Sequence, residues 1–199
     1  MILDVPFYPG KKYYCAQDCA LMVLKYYYPE KEFDIEEISK KSVKHEEYGT
    51  MTIGLSKALK EYRLSVEFNY KTGEEMSEKD KKEFLEKYEE FLNKEKDIRK
   101  EAEKIGVKIK EKDFTLNELK KAIDDNKVII SLINWNVLSK KEGYQGHFVV
   151  ITGYDEKYVY SHNPGPNYPE KNMNITIEMM EKARSYLGTN KETIIISKP

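Results

Sequence analysis

A cysteine, a histidine and an asparagine stand where three elements of predicted structure begin or end. Cys15 opens an apolar helix-forming segment, His147 opens an apolar strand, and Asn163 ends the next strand. A thiol nucleophile, an imidazole base and an amide that orients the imidazole are the parts of a nucleophilic cysteine site. These residue types, in this order, point to attack by the Cys15 sulfur on a carbonyl carbon.

The helix that begins at Cys15 is expected to activate its thiol. Exposed N–H groups and the positive end of the helix dipole stabilise a thiolate and lower its pKa below the free value of about 8.5. The same N–H groups are suited to stabilise an oxyanion. Cys19 lies one helical turn further on, and we expect it to be buried and inert.

Asn163 is predicted to hold the far ring nitrogen of His147 and so to fix the tautomer of the imidazole. Gly146, just before His147, permits close approach of another backbone or a ligand. The neighbouring His162 has the opposite strand parity, so we expect it to face away from Asn163 and from the site.

Hydrophobic periodicity predicts the elements that carry these residues. Helices are predicted at 15–28, 34–41, 52–62, 115–126 and 176–186, and strands at 64–70, 128–133, 148–154, 158–161 and 193–197; residues 107–109 are a short stretch for which the pattern predicts no element type. Helices come first and a mostly antiparallel sheet follows, which is typical of an α+β fold.

Four of these helices carry a predicted N-cap. Asp34 is expected to cap the second helix, Thr50 or Thr52 the third, and Thr176 the last. Thr115 and Glu118 form a capping box at the start of the fourth.

Residues 71–105 differ in composition from the rest, because lysine and glutamate dominate there. A thin apolar stripe runs through the segment and consists of Phe84, Leu85, Tyr88, Phe91, Leu92, Ile98 and Ala102. The pattern predicts a charged helical insertion, either one long amphipathic helix or a helical pair. Its stripe is expected to pack on the body of the protein; a lid or a homodimer contact through residues 71–105 is the alternative.

The composition narrows the class of protein. A chain of 199 residues fits a single domain over 1–199. The net charge of −1 gives no reason to expect a nucleic acid partner. No apolar run is long enough for a membrane span, and no signal peptide is recognisable. We therefore expect a cytoplasmic protein without a structural disulfide. Two cysteines and three histidines at scattered spacing predict no metal site and no cofactor.

Two segments resemble the C39-like cysteine peptidases. Val5-Pro6-Phe7-Tyr8, followed by the stretch from Cys15 to Tyr27, is similar to the opening of that family, with Cys15 in register as the nucleophile. The segment from Gly146 to Tyr154 is similar almost letter for letter to the family's Gly-His-Phe-Val-Val-Val-Thr-Gly-Tyr. The resemblance covers most of the chain except 71–105. It implies a papain-like fold, with the cysteine on the first helix and the histidine and its partner on the sheet.

This chain departs from the family pattern at three positions. The family's oxyanion glutamine is expected five or six residues before Cys15, where this sequence has Pro9 and Gly10. Ala16 replaces the glycine after the nucleophile, and Asn163 replaces the commoner aspartate, which papain-like triads tolerate. Substitute oxyanion donors could come from three amide side chains: Gln17, Gln145 and Asn136.

The sequence thus favours a papain-like cysteine hydrolase that cleaves a peptide or a small amide through Cys15, His147 and Asn163. A catalytically impaired relative that binds a peptide or acyl ligand is one alternative. A related acyl transferase on the same scaffold is another.

Overall fold

A single seven-stranded sheet organises the protein. The computed structural model describes residues 1–71, 93–186 and 188–199. The strands are β1 (Ser65–Tyr70), β2 (Lys108–Glu111), β3 (Val128–Asn134), β4 (Gly146–Tyr154), β5 (Tyr158–Asn163), β6 (Glu170–Thr176) and β7 (Thr193–Ser197). Their order across the sheet is β2-β1-β7-β3-β4-β5-β6. The β1–β2 pair is parallel and every other pair is antiparallel, in keeping with the expected α+β class.

Helices pack on this sheet. They are α1 (Cys15–Tyr27), α2 (Ile35–Lys41), α3 (Thr52–Glu61), α4 (helical residues 93–104), α5 (Leu116–Asp124), α6 (Trp135–Leu138) and α7 (Ile177–Arg184). The first helix lies against β4. It buries Met22, Val23 and Leu24 completely, and this apolar contact fixes the start of α1 relative to the sheet.

The caps of the helices follow the sequence predictions with one exception. Asp34 and Thr176 each accept a hydrogen bond from a first-turn amide, and Thr115 and Glu118 form a capping box. The expected cap of α3 by Thr50 or Thr52 is wrong, because Met51 holds the N-cap position and no side chain caps it. Both hydroxyls are engaged elsewhere: Thr50 accepts from Gln17, and Thr52 donates to Glu192.

Three short elements had no counterpart in the sequence prediction. β2 (Lys108–Glu111) overlaps the stretch 107–109, for which the sequence predicts no element type. β6 (Glu170–Thr176) is mostly exposed and polar, because it is an edge strand whose partner lies on one side only. α6 (Trp135–Leu138) is one turn long and starts where Asn134 accepts a hydrogen bond from the Asn136 amide. β2 and β6 have too few apolar residues, and α6 is too short, to produce a periodic signal.

The described part of the charged insertion packs on the body of the protein. Residues 93–104 are helical, and Ile98 and Ala102 of the predicted apolar stripe are buried in the common core. The remaining stripe residues, Phe84, Leu85, Tyr88, Phe91 and Leu92, lie outside the described residues. Within the described ranges no helix is both long and apolar enough to cross a membrane; the cytoplasmic location stays a prediction.

Candidate active site

His147 and Asn163 meet where the first residues of β4 lie beside the last residues of β5, because the two strands are antiparallel neighbours. The His147 Nε2 atom lies 2.8 Å from Asn163 Oδ1, which is the predicted contact. The Asn163 amide is itself held in place: Oδ1 also accepts from the Gly165 amide at 2.9 Å, and Nδ2 donates to the Tyr168 carbonyl at 2.7 Å. With the orientation of the amide fixed, Oδ1 acts as acceptor and His147 Nε2 as donor.

The imidazole of His147 is enclosed on two sides. The Trp135 ring meets it edge to face, with centroids 5.1 Å apart and an interplanar angle of 62°. A Cβ atom at Gly165 would lie 3.6 Å from His147 Cε1, so the Gly165 backbone lies close to the ring. Trp135 belongs to the unpredicted α6, and its contact with the imidazole shields the bond to Asn163 from water.

Cys15 is the first residue of α1 and is partly buried. The N-cap residue Tyr14 provides no side-chain cap, so the first amides of the helix are not occupied by a capping side chain. The thiol lies near the amides of Phe148 and Ala16. Phe148 directly follows His147 in the chain, which brings the thiol to the start of β4.

The expectation that the helix start lowers the pKa of Cys15 is wrong. Burial raises the pKa of this thiol, and the amides of Phe148 and Ala16 offset that rise only in part. Burial also lowers the pKa of His147, while the bond to Asn163 raises it. Desolvation disfavours the charged form of each group, so the resting pair is a neutral thiol and a neutral imidazole.

No hydrogen bond joins Cys15 to His147 among the contacts of the described residues. Since Nε2 is bonded to Asn163, Nδ1 is the ring nitrogen left to accept the thiol proton. Contacts of this kind are often long in a ligand-free site and shorten when substrate binds.

Cys15 lies in the wall of a cavity of about 430 Å³. The cavity is lined on other sides by Tyr48, Thr50, Tyr144, Gln145, Glu95 and Glu192. Asp18, His147 and Asn163 are not part of its surface. Cys15 thus contributes to the surface of the cavity, whereas the groups that would assist it do not.

The three candidate oxyanion donors have different surroundings. Gln17 is buried on another face of α1, where Nε2 donates to Ser42 at 2.9 Å and to Thr50 at 2.7 Å. Asn136 donates from Nδ2 to the Glu142 carbonyl at 2.8 Å. Gln145 is exposed and lines the same cavity as Cys15. Of the three, only Gln145 lines the cavity that Cys15 lines.

Two further predictions concern residues near the site. Cys19 is fully buried in the core, as predicted. His162 faces away from Asn163, as predicted: its Nε2 lies 2.8 Å from the Val5 carbonyl, and its Nδ1 accepts from the Asn172 amide at 3.1 Å. Because Nδ1 is an acceptor, the proton resides on Nε2.

Asp18 is a residue near the site that the sequence analysis missed. Its side chain is only 4% exposed, and burial raises its pKa to about 7. The available signal was weak: an acidic residue in the first turn of α1, three positions after Cys15. We found no group of three or more His, Cys, Asp or Glu side chains able to hold a metal ion in the described ranges.

Comparison with solved structures identifies the fold. A protein described as a C39-like peptidase from Bacillus anthracis matches with a TM-score of 0.60 and 14% identity, over 100% of this chain and 98% of that chain. The peptidase domain of Streptococcus ComA, a bifunctional ABC transporter involved in quorum sensing, matches with a TM-score of 0.55 and 13% identity, over 98% and 99% of the two chains. A double-glycine-motif protease from an AMS/PCAT transporter, in complex with its leader peptide, matches with a TM-score of 0.55 and 18% identity, over 100% and 94%.

These similarities define the class: the protein has the α+β fold of the C39-like, papain-like cysteine peptidases. A family model described as guanylylate cyclase matches residues 10–196. The chain therefore belongs to the guanylylate cyclase family and has the fold of C39-like peptidases. No curated protein matches the sequence.

Proposed function

We propose that this protein is a cysteine hydrolase that cleaves a peptide or small amide bond, with Cys15 as nucleophile, His147 as base and Asn163 as the residue that orients His147. The observation that carries the proposal is the buried His147–Asn163 hydrogen bond of 2.8 Å beneath Trp135. Cys15, the first residue of α1, lines the cavity, and this hydrogen bond lies outside the cavity surface.

The reaction follows from these positions. His147 Nδ1 takes the thiol proton while the Cys15 sulfur attacks the carbonyl carbon. The C–N bond then breaks, and the imidazolium gives its proton to the leaving amine. Water, deprotonated by the same imidazole, hydrolyses the resulting thioester and frees the thiol. The first-turn amides of α1 and the side chain of Gln145 are the donors available for the oxyanion.

A peptide or a small amide suits the dimensions of the cavity. A volume of about 430 Å³ is in the range of small-molecule pockets and accepts a few residues of an extended chain. The similar protease from the AMS/PCAT transporter was crystallised with a leader peptide. That complex supports a peptide ligand for this fold, and we propose a substrate of the same class for this chain.

Turnover of a peptide and amide library, read by mass spectrometry, tests the proposal. We expect Cys15→Ala and His147→Ala to abolish turnover, and Cys19→Ala to keep it. Cys19 is the matched control because it is the other cysteine of the chain and lies in the core. Unchanged turnover in Cys15→Ala would refute the proposal.

Two alternatives on the same scaffold give different products. An impaired relative would bind a peptide or acyl ligand without releasing product. An acyl transferase would pass the acyl group to an amine instead of water, and the mass of the product separates this reaction from hydrolysis. In both cases a thioester at Cys15, trapped at low pH, distinguishes a reactive thiol from an inert one.

The description of the family suggests nucleotide cyclisation as a different activity. The described residues that line the cavity include Glu47, Glu95 and Glu192 and no lysine or arginine. Such a surface does not favour a triphosphate. Incubation with GTP and Mg²⁺ or Mn²⁺, followed by nucleotide chromatography, tests this activity, and Cys15→Ala should leave any cyclisation unaffected.

Self-association through residues 71–105 remains a proposal. Sedimentation velocity at tens of micromolar tests it, and a monomer at that concentration would remove it.

A further inference from the structure

Asp18 is a buried carboxyl whose hydrogen bonding is incomplete: the Lys11 amide bonds to it, but one of its oxygens has no partner in the described part of the chain. It lies three residues after Cys15 on α1, so the two side chains share one face of the helix. Its Oδ2 atom is buried without a hydrogen-bond partner among the described residues. A buried carboxyl that gains no hydrogen bond at this oxygen costs stability, which calls for another explanation of its presence.

Gly10 provides the space that the carboxyl occupies. A Cβ atom at position 10 would lie 2.0 Å from Asp18 Oδ2 and 2.8 Å from the Pro164 carbonyl. The Gly10 amide donates to that carbonyl at 2.8 Å, which ties this segment to the loop after Asn163. Positions 9 and 10 are where the resemblance to C39-like peptidases leads one to expect glutamine. The space next to residue 10 holds the Asp18 carboxyl instead.

The charged and titratable groups around Asp18 come from three elements. The Lys11 amide and ammonium lower its pKa, as does His147 from β4. Asp18 in turn raises the pKa of His147 and of its neighbours on α1. The groups that interact electrostatically with the Asp18 carboxylate are His147, Lys11, Tyr14, Cys15 and Cys19.

We propose that Asp18, in its carboxylate form, is a positioning residue that stabilises the imidazolium of His147 during acyl transfer. This inference rests on the proposed function. It adds a fourth residue, beside Gly10, at the place where the family's glutamine is absent.

The sign of the effect changes as the reaction proceeds. Before attack, the carboxylate repels a thiolate at Cys15 and attracts an imidazolium at His147, so the two effects oppose each other. Once the sulfur has formed its bond to carbon, it carries no charge and the repulsion disappears. The proton remains on His147 until it passes to the leaving group, so the attraction persists. Asp18 is absent from the cavity surface, and therefore does not face the oxyanion directly.

Asp18→Asn removes the charge and keeps the shape of the side chain. We expect the pKa of the Cys15 thiol, read from the pH dependence of its alkylation by iodoacetamide, to fall by about one unit. Two unit charges even about 12 Å apart produce a shift of this size at an effective dielectric of about 20.

Acylation of Cys15 by p-nitrophenyl acetate gives the second measurement. In the wild type, we expect the rate to rise with pH through about 7, where Asp18 ionises. In Asp18→Asn, the rise should move to lower pH, where His147 alone titrates, and the plateau rate should fall about tenfold. A merely structural residue would lower the plateau without moving the rise.

Two more variants complete the experiment. Gly10→Ala displaces the Asp18 carboxyl without altering its chemistry, and should shift the same two pH profiles. It also keeps the test available if Asp18→Asn does not fold. Asp97→Asn removes an exposed carboxylate that pairs with Lys100 and should change neither profile.

The inference is overturned if the alkylation profile of Cys15 is the same in wild type and Asp18→Asn, or if the rise of acylation stays near pH 7. It fails separately from the proposed function. If amide turnover survives in Cys15→Ala, the proposed hydrolase is refuted, and the effect of the Asp18 charge is judged from the alkylation profile of Cys15 alone. If Asp18→Asn shifts the alkylation and acylation profiles but no amide is turned over, the hydrolase is refuted and the role of Asp18 is supported.

Discussion

Asn163→Ala tests the link between the orienting amide and the reactivity of Cys15. The substitution removes three hydrogen bonds, those to His147 Nε2, the Gly165 amide and the Tyr168 carbonyl. At about 1 kcal/mol each, they amount to about 3 kcal/mol of the free energy of unfolding. The bond to His147 becomes charge-assisted when the ring is protonated, and its loss should cost about 1.5–3 kcal/mol in the transition state, or about 10- to 150-fold in kcat/KM.

The chain offers a matched control for this variant. Asn134 is also fully buried and also makes three hydrogen bonds, accepting from the Asn136 and Gln145 amides and donating to the Gly143 carbonyl. Asn134→Ala should therefore lose a similar amount of stability and leave the hydrogen bond to the imidazole in place. Because Asn134 also caps α6 and holds the Gln145 amide, it is the control for stability and for the His147 titration, and not for the acylation rate.

Urea denaturation, the rate of Cys15 acylation by p-nitrophenyl acetate and the NMR titration of His147 provide the measurements. We expect both alanine variants to be destabilised, and only Asn163→Ala to show a further fall in the pKa of His147, because the bond to Asn163 raises it. If the His147 titration of Asn163→Ala matches that of Asn134→Ala, or if Asn163→Ala is acylated at the wild-type rate, then Asn163 only supports the fold and the reasoning is wrong.

Three further predictions concern the surroundings of the site. Gly10→Gln should not introduce an oxyanion donor but should lower stability by about 1–3 kcal/mol, since a Cβ there would lie 2.0 Å from Asp18 Oδ2; a urea midpoint equal to that of the wild type would contradict this. Folding raises the pKa of Asp18 from 3.8 to about 7, so between these pH values the native state binds more protons than the unfolded state. The free energy of unfolding should therefore fall by up to a few kcal/mol (~1.4 per pKa unit) as the pH rises from about 4 to 7. Thermal melts of Asp18→Asn should lack this fall. Trp135→Ala should admit water to the His147–Asn163 bond and slow acylation of Cys15 about tenfold or more, whereas Trp135→Phe, which keeps an aromatic edge, should stay within a few-fold of wild type.

Much of the fold is encoded in local patterns. The apolar run of β4 and the three- and four-residue spacing in α1 predict both elements within one or two residues of their observed bounds. The contact of His147 with Asn163 follows as well, because antiparallel neighbours bring the start of one strand beside the end of the next. These predictions work because each depends on a short stretch of chain.

Other features depend on contacts between distant segments. Burial, which no local pattern reports, reverses the expected pKa shift of Cys15. Asp18 looks like an ordinary acidic residue in the first turn of a helix, and its burial arises only when Gly10 and the loop after Asn163 close around it. Gln17 reads as a plausible donor beside Cys15, yet Ser42 and Thr50 bind both of its amide protons on another face of α1.

The position of the charged insertion also bears on how this protein can change over evolutionary time. The insertion leaves the fold after β1 and returns at β2, and these adjacent strands form the edge of the sheet opposite β5 and β6. Helix α4 supplies Glu95 to the wall of the cavity, while Cys15, His147 and Asn163 belong to other parts of the chain. Substitutions, or changes in length, between β1 and β2 can therefore reshape what the cavity accepts while the strands under the reacting groups keep their register. One part of the cavity wall and the reacting groups are thus encoded on separate segments of the gene.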